Sequence, residues 1–281
     1  MTPDLGPDGG PWRRLEVPGG PLAVADVPAR GTERGTVVCV PGFTGSKEDF
    51  RLLQGPLSAA GYRVVSLDQR GQHDSPGPDD VTAYTVAALA ADLLAVLGQL
   101  DAGPVHLVGH SFGGLVARAA AISDPTALAS LVLLCSGPAA LRGPRTDLLP
   151  FLTPLLRSGG TAAVHAALEA LPDQRRDAQV PEVRAFLRRR FLASSAAGLE
   201  GMADALTSEP DRVDALRATG LAVCVLHGAG DDAWLPATQA AMAERLGARY
   251  RVVPDAEHSP AMENPAATAA ELLAFWADLP L

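Results

Sequence analysis

A serine between two glycines lies in the segment VGHSFGGLV at residues 108–116. Gly109 and Gly113 stand two positions before and two positions after Ser111, which gives the pattern Gly-x-Ser-x-Gly. At a sharp turn from a strand into a helix, this pattern holds the serine hydroxyl in a strained conformation and exposes it at the edge of a sheet. The pattern also occurs by chance, so a reactive serine needs a base and an acid elsewhere in the chain.

Two later segments supply an acid and a base. The segment LHGAGDDAWLP at 226–236 contains Asp231, and VVPDAEHSPAMENP at 252–265 contains His258. Serine, then aspartate, then histidine is the chain order that accompanies this strand-to-helix turn. A histidine activates the hydroxyl by removing its proton, and a carboxylate fixes the tautomer of that histidine. We therefore predict Ser111, Asp231 and His258 as catalytic residues.

Short apolar runs alternate with segments of helical spacing along most of the chain, which predicts α/β architecture. Most of the runs are continuously apolar, as is typical of parallel strands covered on both faces. Two earlier segments, WRRLEV and PLAVADV, are separated by PGG and predict an antiparallel hairpin at the sheet edge. Together these patterns predict an eight-stranded, mostly parallel sheet with helices on both faces. The parallel strand candidates lie in 36–40, 62–68, 104–110, 127–136, 221–228 and 248–255.

The alternation breaks once, between about Gly137 and Leu216, where alanine, leucine and arginine recur at helical spacing. We interpret residues 138–215 as an inserted helical cap on a core formed by 1–137 and 216–281. The arginine-rich run LRRRF within this segment is interpreted as a solvated helix face, because basic residues on a helix usually face water.

With these elements in place, the chain resembles the α/β-hydrolase family over essentially its full length. The segment VPGFTGSKEDF is similar to the His-Gly-aromatic loop that follows the third strand of the family, with Pro41 where histidine is common. The segment DQRGQHDS is similar to the Asp-x-Arg-Gly-x-Gly-x-Ser loop of the family. On this resemblance we interpret Asp68 and Arg70 as structural residues, and His73, which replaces a glycine, as a surface loop residue.

The resemblance also implies an oxyanion hole formed by the backbone N–H groups of Phe43 and Phe112. It leaves the choice of acid open between two adjacent aspartates. Counting three residues on from Gly228 selects Asp231, whereas counting four residues back from Pro236 selects Asp232. The distance from the strand end determines where the carboxylate can reach. This argument favours Asp231 and keeps Asp232 as the alternative.

The resemblance implies a serine hydrolase that cleaves a carboxylic ester, or a related acyl bond, of a small and moderately hydrophobic substrate. Carbon-carbon bond hydrolases, cofactor-free haloperoxidases and thioesterases can use the same residues, and a non-catalytic ligand receptor is the alternative of another class. Trp234, Phe151 and Leu155 are predicted as pocket residues, and Leu152 and Leu156 are further candidates for the apolar wall.

Composition excludes several partners. The chain has 281 residues, 47% of them hydrophobic, and a formal net charge of −9, which gives no field that attracts nucleic acid or anionic lipid. No apolar run has the length of a membrane helix, and the N-terminal segment lacks the features of a signal peptide, so we expect a cytoplasmic protein. The three cysteines lie in apolar runs and are expected to pack in the core. No histidine pair has metal-ligand spacing, and we expect neither a metal nor an organic cofactor.

Overall fold

The computed structural model describes residues 12–171 and 179–279, which form one eight-stranded sheet with helices around it. The strand order is β1-β2-β4-β3-β5-β6-β7-β8. Strand β2 pairs antiparallel with β1 and β4, and all the other neighbours are parallel. The predicted mostly parallel α/β sheet with an edge hairpin is therefore confirmed. The strands are β1 Trp12–Val17, β2 Gly20–Val27, β3 Gly35–Val40, β4 Tyr62–Leu67, β5 Val105–His110, β6 Leu128–Leu134, β7 Val223–Gly228 and β8 Arg249–Val253.

Helices connect the parallel strands, as right-handed crossover connections require. Short 3₁₀ helices precede two of them and follow a third. The helices are α1 Arg51–Ala59, α2 Val86–Leu97, α3 Phe112–Ser123, α4 Pro144–Asp147, α5 Leu149–Glu169, α6 Pro181–Ala193, α7 Ala196–Ser208, α8 Val213–Ala218, α9 Pro236–Leu246, α10 Pro260–Glu263 and α11 Pro265–Ala277. Within the described ranges, no helix combines the length and the apolar character needed to cross a lipid bilayer.

Side chains that alternate along each strand divide the core into two clusters, one on each face of the sheet. In β3, Val38 and Val40 join the cluster that contains apolar side chains of α2 and α3. Val37 and Cys39 join the second cluster, together with side chains of α1 and α11. Both faces are therefore covered, which explains why the sequence of these strands is continuously apolar. All three cysteines are buried and unpaired, as expected.

Five helices, α4 to α8, lie between β6 and β7. Helix α5 bends at Gly160, whose φ of 64° lies outside the helical region. Helix α8 runs across the predicted boundary at residue 216, and its side chains Val213 and Leu216 join the core cluster that contains side chains of α2 and α3. The division of the chain into a core and a cap stays a prediction.

A buried ammonium group fixes the loop between β3 and α1 to the end of β4. The Nζ atom of Lys47 lies 2.9 Å from Asp68, 2.6 Å from Asp74 and 3.0 Å from Glu48. The backbone N–H of Lys47 donates a second hydrogen bond to Asp68 at 2.6 Å. These contacts confirm that Asp68 is structural. They also hold in place the loop that contains Phe43.

Arg70 has a similar structural role in the loop that follows β4. Its Nε donates to Asp92 at 2.8 Å, and its Nη1 donates to the Ala83 carbonyl at 2.9 Å. Because Arg70 and Asp92 are both buried, each charge offsets the other in a region that excludes water. The interpretation of Arg70 as structural is confirmed.

The substitution Lys47→Met is expected to lower the free energy of unfolding by about 3–5 kcal/mol, because it removes the counter-ion of a set of mostly buried carboxylates. Urea denaturation followed by circular dichroism measures this change. Arg13→Met is the control, since Arg13 pairs with Asp26 but its side chain is 48% exposed. Its cost should stay below about 1 kcal/mol. Equal effects of the two substitutions would contradict the prediction.

Candidate active site

Ser111 occupies the tight turn between β5 and α3. Its φ of 53° and ψ of −121° place it in a region that non-glycine residues rarely adopt. The two flanking glycines make this turn possible. A Cβ atom on Gly113 would lie 2.4 Å from the carbonyl oxygen of Pro41, and one on Gly109 would lie 2.6 Å from the carbonyl oxygen of Gly113. The close approach of α3 to β3 and β5 therefore requires glycine at both positions.

A continuous chain of hydrogen bonds joins three side chains from distant parts of the sequence. The Nε2 atom of His258 lies 3.0 Å from the Oγ of Ser111. The Nδ1 atom of the same ring lies 2.8 Å from Oδ1 of Asp231. Because a carboxylate accepts, Nδ1 carries the proton and Nε2 is free to accept the serine proton. The structure thus brings together all three residues that the sequence predicts to be catalytic.

The Asp231 carboxylate is buried and fully hydrogen-bonded. Oδ1 also accepts the backbone N–H of Ala233 at 3.0 Å, and Oδ2 accepts Nε2 of Gln239 at 2.7 Å. Burial alone would raise the pKa of Asp231, but the hydrogen bond and the charge of His258, with these two donors, hold the pKa below its usual value. The carboxylate therefore stays charged beside His258.

Asp232, the alternative acid, has a different environment. Its carboxylate accepts hydrogen bonds from Nε and Nη2 of Arg145, at 2.8 and 2.5 Å. The Asp232 side chain is 46% exposed, whereas that of Asp231 is fully buried. His258 is hydrogen-bonded to Asp231 and not to Asp232.

His110, next to the serine, supports the loop that carries His258. Its Nε2 donates a hydrogen bond of 2.7 Å to the backbone carbonyl of His258. Burial, together with the neighbouring imidazole of His258, lowers the pKa of His110 to about 4. Its hydrogen bond crosses 148 positions in the chain, and the local sequence contains no signal for it.

The backbone N–H groups of Phe43 and Phe112 lie beside the serine turn. Phe112 is the first residue of α3, and a Cβ atom on Gly42, which precedes Phe43, would lie 3.2 Å from the Cβ of Ser111. Neither N–H donates to a protein group in the part of the chain that the structure describes. The positive end of the α3 dipole adds to these donors. Both groups are therefore available to an anionic oxygen near Ser111.

The side chains of Ser111 and His258 line a cavity of about 250 Å³. Part of its wall comes from the loop after β3, and part comes from the segment between β6 and β7. Apolar and charged side chains both contribute. The lining residues other than Ser111 and His258 include Phe43, Thr44, Asp49, Phe50, Leu141, Arg145, Arg190, Leu206 and Met262.

The three residues predicted to form the pocket lie elsewhere. Trp234 is 4% exposed and packs in the core, where its Nε1 donates to the Ala139 carbonyl at 3.2 Å. Phe151 and Leu155 are 72% and 38% exposed. They are one turn apart on the outer face of α5, because residues at i and i+4 share a face of a helix.

The adjacent face of α5, which carries Leu152 and Leu156, is turned toward the interior of the protein. Leu152 and Leu156 line a separate apolar cavity of about 90 Å³, which also includes Phe43. A leucine-rich helix has several apolar faces in its sequence, and the packing partner decides which of them is buried.

Two further interpretations require correction. Arg190, in the run interpreted as a solvated helix face, has a side chain that is only 12% exposed and forms an ion pair with Asp49. His73, interpreted as a surface residue, is 16% exposed at its side chain and packs edge-on against Phe186 at 5.8 Å. Both side chains lie where helix α6, which contains Arg190 and Phe186, contacts loops from earlier in the chain.

Two groups of side chains have donor atoms close enough to hold a metal ion. The first group is His110, Cys135 and His258. In the hydrogen bonds described above, His258 uses both ring nitrogens and His110 uses Nε2, and burial raises the thiol pKa of Cys135. In the second group, Glu48, His73 and Asp74, the Lys47 ammonium contacts both carboxylates. In both groups, some of the candidate ligand atoms are therefore already used by protein partners.

The α/β class of hydrolases is defined by a mostly parallel sheet and by a serine at a strand-to-helix turn. This serine is hydrogen-bonded to a histidine, and the histidine is hydrogen-bonded to an aspartate. A family model described as the alpha/beta hydrolase family matches residues 37–271. The chain belongs to the alpha/beta hydrolase family.

Three similar proteins indicate the range of the family. A proposed carbamate hydrolase, RutD, of Variovorax paradoxus (strain S110) is 39% identical over 98 residues, and the match spans only 36% of that protein and 35% of this chain. A Bacillus subtilis (strain 168) protein, proposed as a 2-succinyl-6-hydroxy-2,4-cyclohexadiene-1-carboxylate synthase, is 28% identical over 86% of this chain and 90% of its own length. The malate-bound structure of a thermophilic esterase from Thermogutta terrifontis is 25% identical, with a TM-score of 0.78 over 96% of this chain and 99% of that one.

We expect the His110 imidazole to stay neutral down to about pH 5, with its proton on Nε2, because burial and the nearby His258 ring oppose a second charge. Nitrogen-15 NMR of the histidine side chains measures the protonation midpoint, and the spectrum of His110→Asn identifies the His110 signal. A midpoint near the ordinary histidine value of about 6.5 would contradict the described environment.

Proposed function

We propose that the protein is a serine hydrolase that cleaves carboxylic esters of small molecules through an acyl-enzyme on Ser111. The observation that carries this proposal is the unbroken chain of hydrogen bonds from Asp231 through His258 to the Ser111 hydroxyl, which opens into a cavity. The esterase among the similar structures supports the choice of an ester. The cytoplasmic location that the sequence predicts is part of the same proposal.

In the first step, Ser111 Oγ attacks the ester carbonyl while His258 Nε2 takes the hydroxyl proton. Asp231 stabilises the imidazolium that forms. The N–H groups of Phe43 and Phe112 bind the developing oxyanion, which is where preorganised donors contribute most to the rate. When the tetrahedral intermediate collapses, the alcohol leaves with the proton from His258.

In the second step, water attacks the acyl-enzyme. His258 Nε2 removes a proton from this water, the oxyanion forms again in the same place, and the bond from the carbonyl carbon to Ser111 Oγ breaks. Ser111 regains its proton from His258, and the carboxylic acid is released. In both steps, His258 accepts the proton at Nε2 while its Nδ1 donates to Asp231.

The segment 138–215 is proposed to act as a cap that shapes the substrate site. Leu141, Arg145, Arg190 and Leu206 from this segment line the cavity above Ser111. The apolar part of the lining and the volume of about 250 Å³ support a small, partly hydrophobic substrate.

The substitution Ser111→Ala should reduce ester turnover by about 10⁴-fold or more, because no other group replaces the nucleophile. Hydrolysis of p-nitrophenyl esters of increasing chain length, run beside acyl thioesters and vinylogous diketones, measures the loss and the preferred bond. Labelling with a fluorophosphonate followed by mass spectrometry should place the adduct on Ser111. Unchanged turnover in the variant, or a wild-type protein that takes no label, would refute the proposal.

Asp231→Asn and Asp232→Asn form a matched pair of neighbouring, isosteric substitutions. Asp231→Asn should lower kcat by about 10⁴-fold, because the amide favours the wrong tautomer of His258. Asp232→Asn should change kcat by less than about threefold, since that side chain is half exposed and contacts Arg145. Steady-state kinetics on the best ester give both values. A larger loss for Asp232→Asn would exclude Asp231 as the acid.

A further inference from the structure

Two arginines and one aspartate contribute charged side chains to the cavity at Ser111. Arg145 and Arg190 line the cavity, and Asp49 is the one carboxylate among its described lining residues. The partner of Arg145, Asp232, lies outside the lining. Each arginine is paired with an aspartate, so binding of an anion depends on whether either guanidinium retains N–H donors that no aspartate uses.

Arg190 is held in place but retains free donors. Both of its hydrogen bonds, to Asp49 and to Ser46 Oγ, use the single nitrogen Nη1. Its central carbon lies 5.6 Å from the centre of the Phe186 ring. In the described ranges, no protein atom accepts a hydrogen bond from its Nε or Nη2.

The Nε–Nη2 edge of a guanidinium presents two parallel N–H groups, and their spacing matches the two oxygens of a carboxylate. Asp49 does not compete for this edge. Its Oδ1 accepts from Arg190 Nη1, and its Oδ2 accepts the backbone N–H of Ser46 at 3.2 Å. Asp49 therefore orients Arg190 and leaves its Nε–Nη2 edge free to bind a ligand.

Arg145 is less suited to the same task. Its Nε and Nη2 both donate to Asp232 Oδ1, so its bidentate edge is occupied. Its side chain is also 35% exposed, compared with 12% for Arg190. A charge-assisted hydrogen bond gains more where water is excluded, which favours Arg190 as the anchor.

We propose that the natural substrate is an ester that carries a free carboxylate, and that Arg190 binds this carboxylate through its Nε–Nη2 edge. This inference rests on the proposed ester hydrolase and names the substrate class of the same site. Within a cavity of this volume, the chemistry corresponds to a half-ester of a short dicarboxylic acid, with the carboxylate at the end away from the scissile bond.

The test compares monoethyl esters of four- to six-carbon dicarboxylic acids with ethyl esters of uncharged acids of equal length, followed in a pH-stat. Acetate esters of hydroxy acids and of matching alcohols place the charge on the leaving group instead. The wild-type protein should show a kcat/KM at least about 10-fold higher for the best anionic ester than for its neutral match. This ratio should fall as ionic strength rises.

Arg190→Gln should lower the ratio of anionic to neutral kcat/KM by about 10- to 100-fold. The double substitution Arg190→Gln with Asp49→Asn should lower it as well, which separates loss of the Nε–Nη2 edge from the repulsion of an unpaired Asp49. Arg190→Lys should restore the ratio only in part, because an ammonium group is not bidentate. Arg188→Gln is the control on the same helix, since Arg188 is exposed and absent from the lining of this cavity.

Equal kcat/KM values for charged and neutral esters in the wild type, or equal effects of Arg190→Gln and Arg188→Gln, would overturn the inference while the ester hydrolase stands. Isothermal titration with the free dicarboxylates provides a measurement that needs no turnover. Binding that weakens about 10-fold or more in Arg190→Gln supports the inference even if no ester is cleaved. Binding that does not change in that variant overturns it.

Discussion

The left-handed conformation of Ser111 is the constraint on which the rest of the site depends. It is imposed where β5 meets α3, and it persists because α3 approaches so closely that only hydrogen atoms fit at the two flanking glycines. Backbone strain of this kind costs on the order of 1–3 kcal/mol and survives only where the surroundings over-determine it. Here the buried sheet on one side and the helix on the other provide that restraint. The hydroxyl is consequently directed before any substrate arrives.

The order of the strands explains how distant residues reach this hydroxyl. Strands β5 to β8 are adjacent and parallel, so their carboxyl ends share one edge of the sheet. Asp231 follows β7 and His258 follows β8, and each needs only a short loop to reach Ser111. His110 then ties the His258 loop back to β5 through a backbone carbonyl. The adjacent parallel strands thus fix the position of the imidazole, and the hydrogen bond to Asp231 fixes its tautomer.

Much of this arrangement follows from local sequence. Strand positions are readable because a doubly covered strand must be continuously apolar, and the order of Ser111, Asp231 and His258 follows from strand order. The orientation of helices in the segment between β6 and β7 is less readable. Leu152 and Leu156 face inward while Phe151 and Leu155 face outward, although all four are apolar. The face that a helix buries depends on a packing partner that its own residues do not specify.

Arg190 shows that the same limit applies to charged residues. Its partner Asp49 is 141 positions away, so a helical run of arginines gives no sign that one of them is enclosed.

The residues that would carry out the reaction lie on loops held by the sheet, where a displacement of even 1 Å would lower the reaction rate. Arg145 and Arg190, on helices between β6 and β7, also line the cavity. Because loops and helices outside the sheet tolerate sequence change better than the core does, substitutions there can change substrate choice while the serine turn is kept.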